Sequence, residues 1–158
     1  MKFSDFVKTE AIKADLAATD KEAVIRELVN CLVDSGQIKG DEQEDIVQAI
    51  LKREKLGSTG IGRGIAVPHT KHPSVEKPVG AVGVSADGVD FESLDGEKVQ
   101  LFFMLISPPD RPADHLKALE NISKQLEEPT FRRFLKQSTT AEDVQQILEE
   151  ADNNQFVS

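Results

Sequence analysis

A single cysteine, Cys31, in a chain of 158 residues rules out an internal disulfide. Its neighbours in IRELVNCLVDSG are apolar, so it is expected to be buried as a small hydrophobe. Positive charge is in short supply: 19 Lys and Arg stand against 28 Asp and Glu, for a net charge of -9. That balance argues against nucleic acid or an anionic lipid surface as a general partner. No apolar run approaches the roughly 18 to 20 residues that a membrane span needs, so direct membrane insertion is not expected. The opening MKFSDFVKTEAIKADL carries charges every few residues and lacks the apolar block of a signal peptide. A cytoplasmic, reducing location is the resulting expectation. There is no internal repeat, low-complexity tract or linker. The length fits one domain over residues 1–158, large enough to bury a core without staples. Hydrophobic residues at 39% and charged residues at 30% are ordinary for a globular chain.

What is present is periodic. TDKEAVIRELVNCLVDSG reads as a helix: Val24, Ile25, Leu28, Val29, Leu32 and Val33 share a stripe, Thr19 and Glu22 have capping-box spacing, and Gly36 can end it. GDEQEDIVQAILKRE reads as a second helix with an acidic first turn, inward-facing Ile46, Val47, Ile50 and Leu51, and Lys52 and Arg53 at its C-terminal end. GAVGVSA (80–86) reads as a short buried strand. VQLFFMLIS (99–107) is apolar at consecutive positions, as expected of a strand covered on both faces. After the break PPDRP, a helix is expected from Ala113 with the stripe Leu116, Leu119, Ile122 and Leu126. PTFRRFLKQ reads as another short helix. TAEDVQQILEEA reads as a last one, opened by Thr140 and Asp143 in box-like spacing. The tail from about residue 152 is expected to fray. Doubly buried strands interleaved with helices point to an α/β sandwich.

One stretch departs from the acidic background. Between Lys52 and Lys77 there are six basic residues (Lys52, Arg53, Lys55, Arg63, Lys71, Lys77) and two acidic ones (Glu54, Glu76). This island is +4 within a chain of -9, which leaves -13 for the remainder. Local positive potential of this kind can hold a small anion such as a phosphoryl group; a solvated loop with chance lysines is the alternative. The island contains STGIGRGIAVPHTKHP (58–73), with Gly57 just ahead of it. Glycines at 57, 60, 62 and 64 permit positive φ and could aim several N–H groups at an anion. GIGRG is neither the dinucleotide fingerprint nor a P-loop, because the glycines alternate, no helical pattern follows and no Gly-Lys-Ser/Thr is present.

Pro68 restricts Val67 to extended backbone and fixes its own φ, which stiffens the approach to His69. The flanks of His69 (Pro68, Thr70, Lys71) are not those of a core histidine. His72 reads as a surface residue of the next turn. His115 is expected in the first turn of a helix that follows the strongest strand, where α/β sheets gather ligands. The helix dipole there should keep its imidazole neutral at pH 7 and able to donate a hydrogen bond to a phosphate.

Arg53-Glu54, Ser58-Thr59-Gly60-Ile61-Gly62, Gly64-Ile65-Ala66-Val67-Pro68-His69, LFFMLISPP and DHLKALENIS together resemble the enzyme IIA component of the bacterial phosphoenolpyruvate-dependent phosphotransferase system, fructose/mannitol type. The nitrogen-regulatory branch is especially similar. The resemblance runs from about Phe6 to Ala151. It implies a mixed β-sheet flanked by helices on both faces in a single domain. It also implies a phosphotransferase activity in which His69 accepts a phosphoryl group on Nε2 from phospho-HPr or a paralogue. By the same resemblance His115 is the second active-site histidine, Arg53 the supporting cation, and Ser58 and Thr59 the polar, phosphate-binding pair on the preceding loop. No cofactor and no metal is implied. Pro68 would then supply stiffness and the glycines close approach of the partner.

Three readings separate from here. A phosphocarrier could serve regulation, passing signals to target proteins, which the free-standing single domain and the nitrogen-branch similarity favour. It could instead hand the phosphoryl group to an enzyme IIB in sugar transport. From other classes come a metal-binding protein using His69, His72 and His115 as zinc ligands, and an interaction module that is never phosphorylated.

Overall fold

The computed structural model describes residues 1–156. In chain order its elements are β1 (Val7–Lys13), α1 (Lys21–Asp34), α2 (Gln43–Lys55), β2 (Gly60–Gly62), β3 (Ile65–Ala66), β4 (His69–Lys71), β5 (Val79–Val89), β6 (Val99–Ser107), α3 (Pro112–Leu126), α4 (Pro129–Gln137) and α5 (Ala141–Asp152). Short 3-10 turns precede β1 and α2, at Phe3–Asp5 and Gly40–Glu42.

The strands form one mixed sheet in the order β1-β5-β6-β3-β2. β6 is its spine. Every residue of β6 except Gln100 is buried. One edge of β6 runs antiparallel to β5, with Ala81 opposite Met104 and Val82 opposite Phe103. The other edge takes two short parallel partners in succession: β3 opposite Leu101 and Phe102, then β4 opposite Leu105 to Ser107. Because successive strand residues point to opposite faces, β6 feeds two cores. Phe102, Met104 and Ile106 pack with the apolar stripes of α1 and α2. Leu101, Phe103 and Leu105 pack with those of α3, α4 and α5. Helices therefore cover both faces, as the sequence indicated.

Several details differ from the sequence reading. The cap of α1 is Asp20, not Thr19: its carboxylate accepts the Ala23 N–H at 2.8 Å. β1 was not recognised, because Lys8, Glu10 and Lys13 interrupt its apolar residues at an edge of the sheet. β2, β3 and β4 were hidden in the glycine-rich stretch. The buried face of α3 is rotated by one residue: Leu116 is 57% exposed, while His115, Ala118, Ile122, Gln125 and Leu126 face inward. Cys31 is only half-buried, and burial pushes its thiol pKa up. Asp152 and Phe156, at the start of the stretch expected to fray, contact the body of the domain. The Asp152 carboxylate accepts the Phe3 and Ser4 N–H groups, and the Phe156 ring packs 5.5 Å from Phe131. The last two residues of that expected tail lie outside the described residues.

The capping box of α5 formed as its spacing indicated. Thr140 Oγ1 accepts the Asp143 N–H at 3.1 Å while the Asp143 carboxylate accepts the Thr140 N–H at 3.3 Å. Thr140→Ala is expected to cost about 1 kcal/mol, read as a lower urea midpoint with an unchanged slope.

Candidate functional site

The parallel pairing of β4 with β6 builds the site. His69 lies opposite Leu105 and Lys71 opposite Ser107, so β4 delivers His69 to the C-terminal end of β6. That end leads through Pro108 and Pro109 into α3, whose first turn carries His115. The two imidazoles meet with ring centroids 5.7 Å apart and planes tilted by 53°.

Each ring is held from behind. His69 Nδ1 lies 2.7 Å from the Val67 carbonyl oxygen. A carbonyl can only accept, so Nδ1 carries the proton and Nε2 keeps its lone pair. Pro68 is buried between the two residues, and its fixed φ limits how Val67 and His69 can reorient. His115 is buried, and its Nδ1 lies 2.6 Å from the Ser107 hydroxyl. Both imidazoles are easier to keep neutral than an ordinary histidine. Burial is the main cause for His69, and the Arg53 cation adds to it. Burial is also the main cause for His115, aided by His69 and Lys71, and its pKa is pushed down to about 4. The neutrality of His115 expected from the helix dipole therefore has desolvation as its chief source.

Arg53 stands in the last turn of α2, half-buried, with Nη1 donating to the Gly57 carbonyl at 2.9 Å. It belongs to the same electrostatic environment as His69. Ser58 and Thr59 are placed otherwise than a pair of phosphate-facing hydroxyls. Ser58 Oγ donates to the Phe91 carbonyl at 3.2 Å and accepts the Gly60 N–H at 3.0 Å. Thr59 is 4% exposed, and its hydroxyl donates to the Glu54 carboxylate. Nor do the glycines turn a row of N–H groups outward. The Thr59 N–H goes to Glu54 and the Arg63 N–H to Asp95. Gly62 and Gly64 do need positive φ, at 99° and 76°. Gly60 is required for packing: a Cβ there would stand 3.0 Å from the Ser93 backbone.

His72 is buried, not a surface residue. Its Nε2 hydrogen-bonds to Asp45 on α2, and its Nδ1 accepts the Ser74 N–H at 3.1 Å. The three imidazoles do not converge as one ligand set. Among the described residues the only group with three ligand atoms close enough to share an ion is Glu42, Asp45 and His72, which leaves out His69 and His115. No helix among the described residues is long and apolar enough to cross a membrane.

The residues that sequence reasoning missed are the supports: the Val67 carbonyl, Ser107 and Glu54. Glu54 had a readable signal. It continues the line Ile46, Ile50, Glu54 at four-residue spacing, which puts a carboxylate on the buried face of α2.

Residues 5–151 match the family model described as the phosphoenolpyruvate-dependent sugar phosphotransferase system, EIIA 2. A nitrogen regulatory protein of Bradyrhizobium diazoefficiens is 35% identical over 148 residues, covering 94% of this chain and 95% of that one. The crystal structure of the nitrogen regulatory protein IIA-Ntr from Neisseria meningitidis superposes with a TM-score of 0.83 at 29% identity, over 92% of this chain and 98% of that one. The mannitol enzyme IIA of Escherichia coli, in an NMR structure of its complex with phosphorylated enzyme IIB, superposes with a TM-score of 0.76 at 25% identity, over 91% and 99%.

Proposed function

The chain belongs to the EIIA 2 family of the phosphoenolpyruvate-dependent sugar phosphotransferase system, and from that premise we propose that it carries a phosphoryl group on Nε2 of His69. The observation that carries the reading is the Val67 carbonyl 2.7 Å from His69 Nδ1. It fixes the proton on one nitrogen and leaves the other as a nucleophile. The donor is a phosphohistidine of an HPr-like protein. As Nε2 attacks phosphorus, the donor's P–N bond breaks and its electron pair returns to the donor nitrogen. No proton leaves His69 in this step. The ring gains positive character as the Nε2–P bond forms, and the Val67 carbonyl on Nδ1–H stabilises that charge.

Charge on the three equatorial phosphoryl oxygens calls for donors fixed in advance. His115 can be one. With the Ser107 hydroxyl donating to its Nδ1, the neutral ring carries its proton on Nε2 and can offer it to a phosphoryl oxygen. Arg53 supplies the cation. Ser58 and Thr59 act here by shaping the loop, since their hydroxyls are already committed to protein partners.

The biological role is read as mainly regulatory, after the nitrogen regulatory relative; delivery to an enzyme IIB, as in the mannitol complex, is the second reading. Phosphorylation adds about two negative charges at His69, enough to reverse which proteins dock on an island of +4. Two measurements test this: uptake of fructose and mannitol by a strain lacking the gene, and capture of partners by wild type, His69→Ala and His69→Asp. Unimpaired uptake with partner sets that change with the state of His69 is expected. Loss of uptake of one sugar, with partners indifferent to that state, selects transport.

A further inference from the structure

Glu54 is a carboxylate 6% exposed on the inner face of α2, and it sits one residue from Arg53. It receives three kinds of donor. Lys21 Nζ of α1 lies 2.9 Å from Oε1. The Thr59 N–H reaches both carboxylate oxygens, at 3.1 and 3.3 Å. The Thr59 hydroxyl donates to Oε2. A buried charge this well satisfied is costly to assemble, and removing either partner strands the other. Apolar residues at that position of the stripe would have served packing alone.

What the carboxylate holds is informative. With N–H and hydroxyl both on Glu54, Thr59 can turn little. Its remaining backbone group, the carbonyl, accepts the Val67 N–H at 3.0 Å. The Val67 carbonyl in turn accepts Nδ1–H of His69 at 2.7 Å. Three links thus run from a buried ion pair to the imidazole: Glu54 to Thr59, Thr59 to Val67, Val67 to His69. The opposite side of the loop is pinned independently. The Gly60 carbonyl accepts from Leu94 N–H at 2.9 Å and from the Ser93 hydroxyl at 3.0 Å. Lys21 also lies over the Phe91 ring, 4.8 Å from its centroid. The loop is therefore clamped between α1, α2 and the 91–94 segment. Val67 hangs from that clamp.

We propose that Glu54 is a positioning residue for phosphoryl transfer: through Thr59 and Val67 it sets the orientation of the carbonyl that holds His69 as the Nδ1–H tautomer. The proposal rests on His69 being the acceptor. Without the clamp, the Val67 carbonyl loses its alignment. The imidazole then divides its proton between the two nitrogens, and the Nε2–H fraction cannot attack phosphorus. Glutamine at 54 keeps the shape but not the charge that holds Lys21, and its amide nitrogen can serve Thr59 only if the hydroxyl turns from donor to acceptor.

The test joins two measurements on the intact chain. The first is a long-range proton–nitrogen NMR spectrum of the imidazoles, which reports the tautomer of His69 with no donor present. The second is the rate of phosphoryl acceptance from phospho-HPr as donor concentration is varied. Wild type is expected as a single Nδ1–H form. Glu54→Gln is expected to show mixed tautomers and a maximal rate lowered about tenfold, the loss of a charge-assisted contact, with the half-saturating donor concentration little changed because Glu54 is not at the surface. Thr59→Val, which keeps shape and removes the hydroxyl donor, should move both readouts the same way by less. Thr59→Ser should restore the Nδ1–H signature. Thr59→Val carries the test if Glu54→Gln does not fold. A pure Nδ1–H form in the folded variants overturns the proposal, whether or not their rates fall, since a fallen rate alone reports only general loosening. If wild type accepts no phosphoryl group, the acceptor assignment fails while the tautomer comparison still decides the role of Glu54.

Discussion

His69→Ala is expected to fold as wild type does and to accept no phosphoryl group from phosphoenolpyruvate, enzyme I and HPr. The fold should survive because little depends on this side chain. It is half-buried, and its hydrogen bond goes to Val67, two residues away in its own chain. The strand is held by its backbone pairing to Leu105, and the His72 N–H donates to the Ser107 carbonyl at 2.8 Å. The activity should not survive. His115 is the neighbouring imidazole, but its Nδ1 is engaged by Ser107 and the role proposed for it is that of a donor. Intact-mass spectra after incubation with the donor system decide the matter. A phosphoryl adduct on the variant at wild-type yield sinks the assignment of His69. Circular dichroism of the same sample shows whether any loss is one of chemistry or of fold.

Arg53→Ala and His115→Ala are each expected to slow transfer about tenfold to a hundredfold without abolishing it, as fits one charge-assisted contact of roughly 1.5 to 3 kcal/mol. Their pH profiles should differ from that of wild type in a particular way. Burial and the Arg53 cation hold His69 below the ordinary histidine range. The neutral acceptor therefore persists as pH falls through about 6.5, and the wild-type rate should decline only at lower pH. Removing the Arg53 cation raises the His69 pKa, so the acid limb of Arg53→Ala should begin at higher pH. A single-turnover rate series from pH 5 to 8 on each protein makes the comparison. Wild-type rates in both variants refute the contact role of these residues, and an unshifted acid limb in Arg53→Ala refutes the electrostatic part of it.

Where the chain is regular, its sequence was legible. VQLFFMLIS read as a doubly covered strand because only Gln100 and the terminal Ser107 are polar among its nine residues. Thr140 and Asp143 announced the start of α5 through a local exchange of hydrogen bonds that needs no tertiary context. His69 stood out because its flanks were wrong for a core. The differences share a cause: they concern groups whose state is set by a partner that the local pattern does not reveal. His72 looked like a turn residue until α2 brought Asp45 to it. Thr59 looked like a ligand for phosphate until Glu54 claimed its hydroxyl. β1 is a strand because β5 offers it an edge, and Lys8 and Glu10 obscured that in the sequence. The support for His69 is a backbone carbonyl, which every residue possesses and no side-chain pattern can single out.

The register of β4 on β6 also bears on how the molecule comes into being on the ribosome. The strand that carries His69 has as its partner a segment centred on Leu105 to Ser107, which is synthesised later, after all of β5. Until that segment emerges, residues 69–71 have no edge to pair with. β5 and β6 can close first as neighbours joined by a short connection, the faster kind of contact to form. The strand that carries His69 must then be recruited back from upstream, and α3 must fold downstream before His115 arrives. A truncated N-terminal product, however well its first two helices pack, lacks both the strand that pairs with residues 69–71 and the helix that carries His115. On the proposed role of His69, competence to take a phosphoryl group would appear only once the chain's second half has been made and folded.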